Sequence, residues 1–237
     1  MNSFIMFHAE RTKLILDEDN ICYCDSFNGN QDPYIFAPRF LHSYCKINQL
    51  PISKMKKGDT ILWFTKDESQ KEKGEWFCDL VFILDEIKIW NPIPDSFNAN
   101  YKNDYTKSDI RQYVTHEREE REERDHFRWA GIDHPKGENS HKRITLFANS
   151  KESFQPLNSE NNLIRMDEFC QNELGLDLSI IKGGPRGYPK RVLDENQCNK
   201  ILNYINEESH KKLHGKQLQE IREKHERIIQ RIMYFSK

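Results

Sequence analysis

Through the first 90 positions apolar residues come in short runs broken by polar or turn-forming residues, whereas after residue 160 they recur at helical spacing. The runs at 3 to 7, 13 to 16 and 21 to 24 have strand length and polar or turn boundaries. SFNGNQDPYIFAPRF (26 to 40) carries Asn28-Gly29 and Asp32-Pro33 as turn chemistry, and Pro38 opposes helix, so a long aromatic loop is expected. KMKKGDTILWF (54 to 64) sets a basic run and a Gly58-Asp59 turn ahead of a strand from Thr60 to Phe64. A polar turn then leads into GEWFCDLVFILDEIKIW (74 to 90), too rich in aromatic and β-branched residues for a helix, and the two runs predict a hairpin.

Past Trp90 a loop gives way to IRQYVTHEREEREERDHFRW, where Glu117 with Arg121 and Glu120 with Arg124 stand at i,i+4 and support an exposed helix. Residues 130 to 143 read as loop and 143 to 148 as a last strand. Further on, RMDEFCQNEL predicts a helix closed by Gly175. Asp194 is an N-cap for a helix turning Cys198, Ile201, Leu202 and Ile205 inward. Beyond Gly215, Leu218, Ile221, His225, Ile228, Ile232 and Phe235 alternate three and four apart, an apolar seam that must bury itself on the rest of the chain or on a second copy. The pattern divides the chain into a β-rich domain with an inserted charged helix (1 to 150) and a helical C-terminal region (160 to 237).

Composition narrows the class. The 237 residues, 36% hydrophobic, can fill an ordinary core. No run approaches the roughly 18 to 20 apolar residues of a membrane span, and MNSFIMFHAERTK lacks a signal-peptide core, so a cytoplasmic protein without a membrane partner is expected. Cys22, Cys24, Cys45, Cys78, Cys170 and Cys198 include no CxxC pair and read as reduced thiols. Histidines 42, 126, 134 and 141 are not spaced as metal ligands, and no metal or cofactor is expected. A net charge of −2 leaves room for nucleic-acid binding only through a local basic patch.

The hairpin carries a resemblance. Lys57-Gly58-Asp59-Thr60-Ile61-Leu62-Trp63-Phe64, a variable loop, and Trp76-Phe77-Cys78-Asp79-Leu80-Val81 resemble the PUA-like superfamily, which includes the EVE, ASCH and YTH domains. FAPRFLHSYCKI (36 to 47) ahead of the Gly58-Asp59 turn is similar to the phage and bacterial nucleotide modification associated domains. The resemblance implies an α+β chain: a PUA-like small β-barrel with a helical C-terminal extension. It also implies capture of a base, often a modified one, in phage defence or DNA modification, with DNA ahead of RNA as the partner.

Capturing a flipped base takes aromatic faces and a few fixed polar groups. Tyr34, Phe36, Arg39, His42, Tyr44, Trp76, Asp79 and Trp129 are the candidates for that pocket. Gln31-Asp32-Pro33-Tyr34 also resembles the water-activating motif of the uracil-DNA glycosylases, which implies Asp32 as a catalytic carboxylate excising a base; that family's HPSP-type segment is absent, and Asp-Pro equally opens turns. In GGPRGYPKR, Gly183 and Gly184 let backbone N–H groups approach a phosphate, while Arg186, Lys190 and Arg191 supply charge. Against these stands a non-catalytic assembly protein that forms a homodimer through its C-terminal helix.

Overall fold

The computed structural model describes residues 2–8, 11–24, 33–42, 50, 54–66, 75–89, 144–178 and 191–235. The charged run 110 to 129, Cys45, and all of the 183 to 191 loop except the backbone of Arg191 lie outside them. The described chain is α+β. Its strands are β1 (Ser3–His8), β2 (Thr12–Ile15), β3 (Ile21–Cys24), β4 (Leu41–His42), β5 (Thr60–Lys66), β6 (Trp76–Ile89), β7 (Ile144–Ala148), β8 (Gln155–Leu157), β9 (Ile164–Arg165), β10 (Arg191–Leu193) and β11 (Lys211–Leu213). The helices are α1 (Asp167–Leu174), α2 (Glu195–Glu208) and α3 (Gly215–Phe235).

The main sheet runs β10-β1-β5-β6-β7-β4, with β9 on β6. β1 and β5 are parallel, from Ser3 opposite Thr60 to His8 opposite Thr65, and the other pairings are antiparallel. Strands β1 and β5 are continuous apolar runs because both their faces are covered. Phe4, Met6, Ile61 and Trp63 point into one core, where the β2–β3 ribbon, residues 33–42 and Leu218 and Ile221 of α3 pack. Ile5, Phe7, Leu62 and Phe64 point into the other, closed by Cys170 of α1 and Cys198, Ile201 and Ile205 of α2.

Two sequence expectations are corrected. The expected small barrel does not close among the described residues: β10 and β4 end the sheet without pairing to each other. Strands of three and two residues offer too few ladder hydrogen bonds to seal a seam. The C-terminal region is not purely helical either, since β9 and β10 join the main sheet and β11 pairs β8. The seam on α3 buries Leu218 and Ile221, whereas Ile228 is exposed.

Helix boundaries follow the capping chemistry. Gly175 closes α1 at φ 63°, a left-handed conformation that favours glycine. Asp194 and Gln197 form a reciprocal capping box at α2. The Gly58-Asp59 turn is equally local: Gly58 sits at φ 90°, and the buried Asp59 carboxylate accepts from Asn2 N at 2.8 Å, Asn2 Nδ2 at 3.1 Å and Lys56 N at 3.0 Å. This turn therefore fixes the N-terminus beside β5. Asp59→Ala is expected to cost about 1.5–3 kcal/mol in urea denaturation, because it strands those donors; a loss below ~0.5 kcal/mol would show that water replaces the carboxylate.

Candidate functional site

Two β-bulges shape β6, and an aspartate sits at each. The β5–β6 register passes from Trp63 opposite Leu80 to Phe64 opposite Cys78, which leaves Asp79 as the extra residue. The β6–β7 register passes from Leu84 opposite Ala148 to Glu86 opposite Phe147, which leaves Asp85. A bulge re-aims side chains and sharpens the twist. At the first one facing inverts: Trp76, Cys78 and Val81 share the helix-covered core, whereas Leu80, Phe82 and Leu84 lie in the other.

Asp79 is fully buried and ion-paired to Arg11 Nε at 2.9 Å, with neither side chain exposed. Gln155 donates from Nε2 to the Asp79 carboxylate at 2.9 Å and to Tyr23 O at 2.9 Å, and its Oε1 accepts from Tyr23 N at 2.7 Å. The Gln155 amide thus serves β3 as a substitute strand partner while orienting the carboxylate. Around this network a hydrogen bond with Cys24, followed by burial, holds the Cys22 thiol far above its ordinary range, and burial pushes Tyr23 up to about 12. Thiols so placed are inert packing groups. Cys22, Cys24, Cys78, Cys170 and Cys198 are all buried free thiols.

The second bulge faces outward. Lys57 Nζ lies 2.6 Å from Asp85, and Arg39 reaches Glu86 at 2.8 Å and Asp85 at 3.9 Å. Hydrogen bonding to Lys57 is the main cause that holds the Asp85 carboxyl below its ordinary value. So anchored, the Arg39 guanidinium lies 4.5 Å over the Phe147 ring. At the far end of the same segment Arg222 of α3 lies 5.0 Å over Phe36, held by Glu226 at 2.7 Å, and Tyr34 meets Phe36 edge-on at 6.1 Å. Residues 33–42 therefore contribute one member to each of two guanidinium–ring stacks.

The predicted pocket residues separate. Tyr34 is half-buried and Arg39 keeps 34% of its side chain exposed. Phe36 lies in the core beneath Arg222, and His42 is fully buried with its ring 4.8 Å from that of Trp63. Trp76 is the clearest departure, for it packs 4.8 Å from Phe7 in the opposite core, away from Phe36. Asp32, Tyr44, Trp129, Gly183, Gly184, Arg186 and Lys190 lie outside the described residues, as does the Arg191 side chain.

Arg11, Gln155 and Arg222 were not legible as site residues. Arg11 stands in a polar stretch and Gln155 in a segment without periodicity. Arg222 carried one signal, a cation beside the apolar seam with Glu226 four residues on. No family model, curated protein or solved structure matches the chain.

Proposed function

We propose that this chain binds nucleic acid through a PUA-like β-domain, and that it captures a base, a modified one in DNA before others, against residues 33–42. The observation that carries the reading is the half-buried Tyr34, edge-on to a Phe36 that lies beneath Arg222, in the same segment as the partly exposed Arg39 that stacks over Phe147. The half-buried Tyr34 ring offers a base a stacking face, and the Arg39 guanidinium, with 34% of its side chain exposed, offers planar donors. Both arginines are already fixed by glutamates, which lowers the ordering cost of binding. Capture of modified bases suits a role in phage defence or DNA modification.

The test is retention of oligonucleotides bearing natural or hydroxymethylated pyrimidines, as DNA and as RNA, with a parallel assay for abasic sites. Tyr34→Ala is expected to weaken binding by about 1–3 kcal/mol, the value of one stacked base. Arg186→Ala is expected to weaken all sequences alike and to reduce the salt slope by about one. Abasic product that disappears in Asp32→Asn would convert the reading to a glycosylase, and absence of retention on every probe would end it.

A further inference from the structure

Arg222 is out of character for its place. It belongs to the docked half of α3 with Leu218 and Ile221 and is 5% exposed, and an apolar side chain would fill that position without the cost of desolvating a charge. What a guanidinium adds is a planar group that a partner can hold in one orientation. Glu226, one turn on, binds its Nε at 2.7 Å, and the guanidinium so held lies 5.0 Å over the Phe36 ring. The helix itself is registered on the same segment. Gly215 rests against the Ala37 and Pro38 carbonyls, where a Cβ does not fit, and Arg222 follows two turns later, roughly 10 Å further along the same face. Gly215 thus seats α3 on the backbone at 37–38, and Arg222 bears on the ring at 36.

Phe36 passes this order on. Its ring meets that of Tyr34 edge-on at 6.1 Å, with 83° between the planes. The Tyr34 backbone is held by reciprocal hydrogen bonds with Leu41, from Tyr34 N to Leu41 O at 2.7 Å and from Leu41 N to Tyr34 O at 3.0 Å. The freedom left to Tyr34 is therefore in its side-chain torsions. An edge-on neighbour pinned beneath a guanidinium restricts those torsions. Three contacts in series connect a carboxylate on the outer side of α3 to the half-buried Tyr34 ring: Glu226 to Arg222, Arg222 to Phe36, and Phe36 to Tyr34.

We infer that Arg222 and Glu226 are positioning residues that set the orientation of the Tyr34 ring through Phe36, so that the face on which a base stacks is fixed before the ligand arrives. This rests on the reading of residues 33–42 as the base-binding segment, but the positioning is measurable without any ligand. NMR of the full chain with 13C-labelled tyrosine rings gives it directly, the Tyr34 signals being assigned among the nine tyrosines by Tyr34→Phe. In the parent they should carry a ring-current displacement from Phe36. Glu226→Gln, at a side chain 38% exposed, should leave the urea midpoint nearly unchanged yet reduce that displacement, and it keeps the test open should Arg222→Met fail to fold. Arg222→Lys keeps the charge and loses the plane, so it should move the Tyr34 signals as Glu226→Gln does. Retention of oligonucleotides should fall roughly three- to tenfold in Glu226→Gln, a part of the value of one stacked base, and the same substitution should have no further effect on top of Tyr34→Ala. Tyr34 signals unmoved by Glu226→Gln and Arg222→Lys overturn the inference, whether or not the chain binds nucleic acid. Equal losses of retention with and without the Tyr34 ring also overturn it, since Glu226 would then act elsewhere. Tyr34 signals that move as expected in a chain retaining no oligonucleotide would support the positioning and end the nucleic-acid reading alone.

Discussion

Replacing Asp79 alone by leucine is expected to cost about 3–5 kcal/mol, because the change removes the carboxylate that pairs with the buried Arg11 guanidinium at 2.9 Å. Arg11→Met should cost somewhat less, since Gln155 still donates to the carboxylate that remains. The double variant Arg11→Met/Asp79→Leu should recover most of the loss and come within about 1–2 kcal/mol of the parent, as buried pairs replaced by apolar groups of similar size usually do. Urea denaturation of the four proteins gives the coupling directly as a double-mutant cycle. Additive single losses would show that the two side chains do not act as a pair. The double variant also separates stability from function: if it folds and loses retention of modified oligonucleotides, the ion pair is kept for binding. If retention is unchanged, the network serves only to specify the fold.

Gly215→Ala is the second large effect. A Cβ at this first residue of α3 would lie 2.0 Å from Ala37 O and 2.9 Å from Pro38 O, both backbone atoms that cannot swing aside. The helix start must retreat, and Leu218 and Ile221 then withdraw from the core beside Phe36. We expect a loss of about 3 kcal/mol or more, at the upper end of overpacking costs. Gly175→Ala is the control, for nothing lies within 4 Å of its Cβ position and only its φ of 63° is unfavourable to alanine. Its cost should be about 1–2 kcal/mol. Equal losses at the two sites would mean that α3 is not seated on the Ala37–Pro38 backbone.

The long elements were legible because burial on both faces leaves an unmistakable apolar run. β3 agrees residue for residue, and β1, β5 and β7 agree to within two residues. Asp194, Gly175 and the Gly58-Asp59 turn were legible because their chemistry is local. The short strands β8 to β11 were not: two or three residues carry no period, and only their partners define them. Trp76 shows how one residue defeats a face assignment. Strict alternation along β6 would put Trp76 on the face of Leu80 and Phe82, but the extra residue at Asp79 inverts the count. A charged residue in the middle of an apolar strand was the available signal, at Asp79 and again at Asp85. The candidate site shares that difficulty, because the arginines that make its stacks come from remote parts of the chain.

The position of β1 governs how the chain can be made. Its six residues are made before all the other strands described, yet one edge waits for β5 and the other for Arg191–Leu193. Until residues 191–193 are made, a run containing Phe4, Ile5, Met6 and Phe7 therefore has an unpaired edge, the kind of surface that recruits other chains. Nascent chains arrested before residue 191 should thus be held by chaperones or aggregate, and the last strand to arrive is the one that closes the sheet against that outcome.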